Sequence, residues 1–385
     1  MNWETRRIGS LGRVVTGKTP STVVKEYFNG PFPFVTIPDM GGSVYITKTQ
    51  RSLTDAGVAA VSGNRLPKDA VMMSCIATIG RCGITVKPSV TNQQINSVIC
   101  NADIDPLFLY YAFTQLGAAL EAAGGGGTVF SNISKSRFEN IEVDVPSIAE
   151  QREIASVLGA LDDKIELNRQ INGTLEAMAQ AVFKEWFVDY RAPGTVTPVN
   201  GDLPAGWELK PLGQIADVNW GDTNATKKLY VPSGYTAYSA AGPDGFLPYF
   251  DFDRTGVVVS AIGSAGKTYL AQGKWSCIKN TIRLWATAPD LSTEYLFQAT
   301  YGVEKWPLRG SVQSFISQGD ARGMSVLVPC DGLGAKYGDI VRPMYEKVEQ
   351  NKNESSTLAA LRDTLLPKLM RGEVRVKQTE AIKAS

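Results

Sequence analysis

Histidine is absent from all 385 residues. That removes the usual proton shuttle near neutral pH, the usual activator of a serine or cysteine nucleophile, and every metal site that needs imidazole. Cysteine is scarce and scattered: Cys75, Cys82, Cys100, Cys277 and Cys330 form no CxxC pair, so neither a zinc site nor a redox dithiol is written here. An odd count without a secretory h-region reads as reduced thiols in a cytoplasm. No apolar run approaches the length that spans a bilayer, so no membrane segment is expected. An excess of one charge is also missing, with 39 Lys and Arg against 38 Asp and Glu. Nucleic-acid proteins commonly show a basic surplus. Here, however, residues 147–190 hold four basic and eight acidic side chains and dilute slightly basic segments on either side. Weak overall charge permits DNA binding without predicting it. The remaining composition, 43% hydrophobic and 20% charged, is that of a globular protein of two or three domains.

What is present is a duplication. Trp3-Glu4 recurs as Trp207-Glu208, and the same shift matches Gly9 with Gly213, Val14 with Val218, Gly17 with Gly221 and Thr19 with Thr223. Ala70–Arg81 (AVMMSCIATIGR) matches Gly256–Lys267 (GVVVSAIGSAGK), and Gly127–Phe187 matches Gly310–Met370 without a gap, at 14 identities in 61 pairs. Three blocks in the same order make duplication the reading to follow. The falling shift places extra residues of the first copy mostly between Gly17 and Ala70.

Each copy begins with a globular segment, 1–146 or 206–329, rich in Gly, Pro and short β-branched runs. Strands are expected at Ala70–Ser74, Val98–Ile99, Ile141–Val145, Val257–Ser260 and Ser325–Val328, with helices near Pro106–Ala122 and Thr293–Tyr301. A long helix follows in each copy, over 147–190 (with Ser147 as N-cap) and over 330–373. The Pro/Gly-rich 191–205 reads as a linker and 374–385 as a polar tail. The helices carry a three-to-four-residue apolar stripe interrupted at one repeated position by Asn168 and Asn351. A polar residue in such a seam fixes register. The expected arrangement is an antiparallel coiled-coil stalk in which Asn168 faces Asn351 and Val182 lies by Tyr337, with Pro343 and Pro367 kinking or shortening the second helix. The fold class is α+β: two duplicated globular domains joined by two long antiparallel helices. Two readers a fixed distance apart suit duplex DNA, whose major groove recurs about every 34 Å.

The string Gly263-Ser264-Ala265-Gly266-Lys267-Thr268 tempts a P-loop reading, but Ala261 stands where that pattern requires glycine. The first copy has neither the lysine nor the threonine, so a repeated strand–turn–strand with a basic tip explains both. A P-loop-like nucleotide-binding enzyme and a scaffold without DNA contact stay as the alternatives. Candidate DNA contacts in the first domain are Lys18, Thr19, Lys48, Arg51, Arg81, the amide cluster Asn92-Gln93-Gln94, and Ser131, Asn132 and Lys135 after the four-glycine run. In the second they are Trp220, Lys227, Lys228, Lys267, Lys279, Asn280, Arg283, Arg309, Gln313 and Ser314. Lysine and arginine suit phosphates, and amide side chains suit adenine edges.

Several stretches resemble the specificity subunit of type I restriction-modification systems. They are Pro146–Ile154 (PSIAEQREI) with Leu161–Glu166 (LDDKIE), Phe183–Tyr190 (FKEWFVDY), and Leu361–Leu369 (LRDTLLPKL) with Gly372-Glu373. The resemblance covers essentially the whole chain, and the second helix departs from it at Pro329–Gly332, where the Pro-Ser opening has decayed. It implies two target recognition domains, each reading half of a bipartite asymmetric site in double-stranded DNA, in a cytoplasmic phage-defence complex. It implies that the helices set the unread spacer and dock two modification (methyltransferase) subunits, joined by restriction subunits that translocate DNA. The chain itself would be non-catalytic, hold no metal and need no cofactor; S-adenosylmethionine, ATP and magnesium would belong to the partner subunits.

Overall fold

The computed structural model describes residues 3–124, 132–196, 198, 202–310 and 313–376. The chain forms two compact units, one built from Met1–Asn168 with Glu354–Ser385 and the other from Arg169–Asn353. Both boundaries fall inside the long helices Ile148–Phe183 and Leu333–Met370, so each unit contains one domain and half of each helix.

In the first unit, a five-stranded sheet runs in the order Gly12–Thr16, Ile95–Cys100, Val71–Ser74, Cys82–Thr85, Tyr45–Ile46. In the second, Ala216–Trp220, Thr281–Ala286, Gly256–Ser260 and Thr268–Ala271 repeat that order without the last strand. The missing strand lies in the stretch between Gly17 and Ala70, where the sequence places the extra residues. In both units the chain's entry and exit pair as an antiparallel ribbon, Glu4–Arg7 with Glu142–Val145 and Glu208–Pro211 with Ser325–Val328. That pairing closes each domain and explains why the Trp-Glu doublet marks both starts.

The cores form where apolar strand faces meet a domain helix and the long helices. Val71, Val98, Phe108 and Phe113 of the first unit share one cluster with Ile154 and Leu158 of the first long helix and with Leu369 of the second. Val257, Ile282, Tyr295 and Leu296 of the second unit share another with Ala179, Tyr337, Val341 and Tyr345. Fully burying a side chain of this size contributes about 1.5–3 kcal/mol, so the helices are part of each core. Ser147 caps the first helix, its Oγ accepting from the Glu150 N–H at 3.4 Å. Pro343 and Pro367 both lie within the continuous second helix. Each removes one backbone bond, and burial of Val341, Tyr345, Val348, Leu366 and Leu369 offsets that loss.

In each unit the two long helices run antiparallel. Asp162 pairs with Arg362 and Lys164 with Glu354 in the first; Ala179 meets Tyr337 and Asn172 meets Asn351 in the second. Asn168 and Asn351 are buried, at 0% and 1% exposure. The Asn168 amide donates to Glu354 Oε2 (2.8 Å) and Ser355 Oγ (3.3 Å), and the Asn351 amide donates to Asn172 Oδ1 (2.8 Å). Each of these bonds lies about one helical turn from the expected Asn168–Asn351 facing position. Tyr337 contacts Phe183 and Trp186, the neighbourhood of its expected partner Val182.

Gly17 and Gly221, matched across the repeats, follow the first strand of each main sheet where another strand presses close. A Cβ on Gly17 would lie 2.0 Å from the Asn92 carbonyl oxygen, and one on Gly221 would lie 2.3 Å from Thr281 Oγ1. Gly17→Ala and Gly221→Ala are each expected to cost about 1–3 kcal/mol through backbone displacement. Gly63→Ala, with nothing within 4 Å of its Cβ, is the control. Urea unfolding of the three variants checks this, and equal midpoints would sink it.

Candidate nucleic-acid interface

Both units hold the same backbone frame around a hairpin tip. In the first, the Cys75 N–H donates to Gln94 O, Ile133 N–H to Cys75 O, Ser74 N–H to Arg81 O, Gly80 N–H to Ser74 O and Gly17 N–H to Ile95 O, all at 2.8–3.0 Å. In the second, the matched donors Ala261, Ile316, Ser260, Gly266 and Gly221 bond Asn280, Ala261, Lys267, Ser260 and Thr281 at 2.9 Å each. The bridge Ile76–Asn132 recurs as Ile262–Phe315. Each frame therefore binds together a hairpin tip, an amide-bearing loop (92–94 or 279–280) and a third segment, 132–133 or its counterpart 315–316.

In the second unit this rim encloses an open cleft of about 600 Å³. Lys227, Lys228, Gly263, Ser264, Lys279 and Asn280 line it. Lys228, Lys267 and Lys279 are exposed and make no ion pair among the described residues. Lys227 is committed to Asp244 at 2.5 Å. Burial alone would push the Asp244 carboxyl up, but donors from Lys227, Ser239 and Tyr230 outweigh it and hold the group below the usual carboxylate range. A depressed carboxylate adds stability above its unfolded pKa and loses it as pH falls through the folded value. Amide exchange in the 226–244 loops is accordingly expected to accelerate below the ordinary carboxylate range while the main sheet stays protected. An equal change in both would contradict this.

The frame places the predicted residues unequally. Thr19 donates to Gln93 Oε1 at 2.7 Å, and the neighbouring Lys18 N–H bonds Thr91 O, so Lys18, Thr19 and the amide cluster share one edge. Asn92 and Gln94 bond each other at 3.0 Å, while Gln93 stays exposed. Arg81 donates to Met40 O at 3.2 Å from the hairpin tip. Asn132 is exposed beside Ile76, and Lys135 pairs with Glu139. Lys48 is exposed. Arg51 stacks on Phe28 and Phe34 at 4.6 and 5.4 Å, on a strand paired with Phe28–Val35, which in turn pairs with the strand leading into the amide cluster. Ser131 lies outside the described residues. In the second unit Gln313 and Ser314 sit between Arg309 and Phe315, whose backbones pair, and Arg309 is bound to Asp320.

Two predicted contacts belong to the fold as the structure places them. Arg283 has only 15% of its side chain exposed, pairs with Asp217 at 2.8 Å and stacks on Trp285 at 4.1 Å. Trp220 packs on the second core. Both alternate along strands whose faces the sequence leaves undecided. Sequence reasoning missed Ser239, Ala240 and Ala241, which close the cleft; their signal is only a turn between two short strands. The Gly263–Thr268 string joins the strands Gly256–Ser260 and Thr268–Ala271, whereas a P-loop opens a helix. Burial pushes the thiols of Cys75, Cys82 and Cys277 up to about 11, 12 and 12, which leaves them protonated at neutral pH.

Fold and frame define a duplicated two-unit α+β module. Residues 1–177 match the family model described as the type I restriction modification DNA specificity domain. The chain is 26% identical over 408 residues to the type I restriction enzyme MjaIX specificity subunit of Methanocaldococcus jannaschii, covering 98% of this chain and 94% of that one. It is 40% identical over 147 residues to the HindI specificity subunit of Haemophilus influenzae, covering 38% of this chain and 32% of that protein. Its fold is that of the crystallised type I restriction-modification S subunit from M. genitalium, at TM-score 0.64 and 19% identity over 96% of both chains. Over nearly its whole length the chain is thus similar to type I restriction-modification specificity subunits, and its first 177 residues match their domain model.

Proposed function

We propose that this chain is the DNA-specificity subunit of a type I restriction-modification complex, with each unit reading one half of a bipartite site. The observation that carries this is the duplicated frame, which in the second unit borders a cleft lined by lysines, a glycine-serine tip and an amide. Exposed lysines hold phosphates and set register; Asn280, Gln313 and Ser264 offer side-chain donors and acceptors to base edges. In the first unit Gln93, Asn132 and Lys18 take the corresponding roles. The long helices, packed into both cores, set the unread spacer and dock two modification subunits. Those subunits bind S-adenosylmethionine and methylate adenine, while restriction subunits using ATP and magnesium complete a cytoplasmic complex. This chain supplies recognition and no catalytic group. That similarity, and a hairpin where a nucleotide-binding loop would need a helix, both weigh against the enzyme reading.

The test is methylation mapping in a host expressing this chain with its modification subunit. N6-methyladenine is expected in both halves of a bipartite motif and is expected to vanish when this chain is omitted. Exchanging residues 206–329 for another domain is expected to change one half alone. Methylation that ignores the exchange would overturn the reading.

A further inference from the structure

A second cleft in the second unit is lined by a different set of residues from the proposed DNA rim and has no assigned role. It encloses about 240 Å³ between the domain helix Thr293–Thr300 and the long helices. Phe297, Tyr301 and Tyr345 form one wall, with ring centroids 5.4 Å (Phe297–Tyr301) and 5.8 Å (Phe297–Tyr345) apart. Glu176 and Glu349 line it from the two long helices and have no ion-pair partner among the described residues. Gln298 is 7% exposed and spends its Nε2 on the Tyr345 hydroxyl at 2.6 Å, which leaves its Oε1 as an open acceptor. Lys352 is the one cation in the lining, and it too is unpaired among the described residues.

The duplication shows what such a place holds. The first unit has a cleft of about 400 Å³ at the matched position. Aligning the domain helices at their first residues, Pro106 and Thr293, pairs Tyr110 with Phe297, Tyr111 with Gln298 and Thr114 with Tyr301. The gapless repeat pairs Asp162 with Tyr345 and Asp363 with Gln180. In both clefts the same two positions are bonded, Tyr111 to Asp162 and Gln298 to Tyr345. In the first, the guanidinium of Arg362 sits among the lining carboxylates, paired with Asp162 and Asp363. The residue matched to Arg362 is Ala179, whose methyl brings no charge.

We infer that the second-unit cleft receives a guanidinium or ammonium side chain from the modification subunit. Aromatic faces, two unpaired carboxylates and an open amide oxygen are together complementary to an organic cation. The space suits one side-chain head, and the sister cleft already accepts such a head from protein. This inference rests on the proposed role as a specificity subunit.

The test compares the full chain with Glu176→Gln/Glu349→Gln and Lys352→Gln variants by native mass spectrometry and titration with the purified modification subunit. Two subunits are expected to bind the unaltered chain. The double glutamine variant is expected to lose roughly tenfold in affinity at one of the two sites, and Lys352→Gln to gain affinity there. Each substitution exchanges a carboxylate or an amine for a carboxamide at an exposed (Glu176, Lys352) or half-buried (Glu349) position, and unchanged melting temperatures verify folding. Two subunits bound with unaltered affinity by both variants would overturn the cleft assignment alone. An unaltered chain that binds no modification subunit would overturn this assignment together with the proposed partner. Arginine amide binding that depends on Glu176 and Glu349, with subunit affinity unmoved, would reassign the cleft to a free cation and overturn its proposed occupant.

Discussion

Replacing Lys228 and Lys279 together by glutamine is expected to weaken specific DNA binding about thirtyfold at 0.15 M salt and to lower the salt-dependence slope by about 2. Each phosphate neutralised on duplex DNA contributes about 0.9 to that slope, and the same counterion release sets the affinity scale at a given salt. The two ammonium groups line one cleft, are exposed and have no carboxylate partner among the described residues. Their full charge is therefore available to phosphate. Lys227 makes the internal control. Its ammonium lies 2.5 Å from Asp244, so Lys227→Gln is expected to change the slope by well under 1 while loosening the surrounding loop. The loss should be nearly uniform over related sequences, because phosphate contacts position the protein without reading bases. Asn280→Ala is expected to behave in the opposite way, relaxing the preference at one base pair with little effect on slope. Titrations at several salt concentrations against matched and mismatched duplexes separate the two. An unchanged slope in the double lysine variant would remove this cleft from the DNA interface.

The duplication was the most legible feature of the sequence because every block of it encodes a backbone need. The Val-rich strands, the glycines at 17 and 221 and the small residues of the hairpin tips recur since the same hydrogen-bonded frame recurs around them. Element types followed from periodicity, with the helices beginning at Pro106 and Thr293 as expected. Side-chain roles were less legible. Arg283 and Lys279 are both basic residues near one strand, and nothing local says that one stacks on Trp285 while the other reaches an open cleft. That difference is set by Asp217 and Phe252, which lie far away in sequence. The seam asparagines show the same limit. Their burial followed from the apolar stripe, but their partners depended on helix offset, which the stripe fixes only to about one turn.

Asp162→Ala is expected to destabilise the first unit by about 3 kcal/mol, the largest effect of a single substitution outside the hydrophobic core. Asp162 lies on the first long helix, with 10% of its side chain exposed. One carboxylate oxygen accepts from Arg362 of the second long helix at 2.5 Å and the other from the Tyr111 hydroxyl of the domain helix at 2.6 Å. One side chain thus ties three elements that otherwise meet through apolar contact. Removing one partner of a buried pair commonly costs about 3–5 kcal/mol because the remaining charge stays desolvated. The lower end applies here, since Arg362 keeps 29% exposure and a second carboxylate at Asp363. Burial, reinforced by Asp162, pushes the Tyr111 phenol well above its ordinary value, so it stays a donor at every pH where the protein folds. For a unit of this size the loss amounts to a fall in melting temperature of roughly 6–12 °C. Tyr111→Phe is expected to cost only about 1 kcal/mol, the net worth of one hydrogen bond. Adding Arg362→Met to Asp162→Ala should restore part of the loss, because the orphaned charge leaves with it. In the second unit, Gln298→Ala breaks the neutral counterpart and should cost no more than Tyr111→Phe. Calorimetry of the four variants decides the matter: if Asp162→Ala costs no more than Gln298→Ala, the ion pair does not fasten the first domain to its helices, and apolar packing alone holds it there.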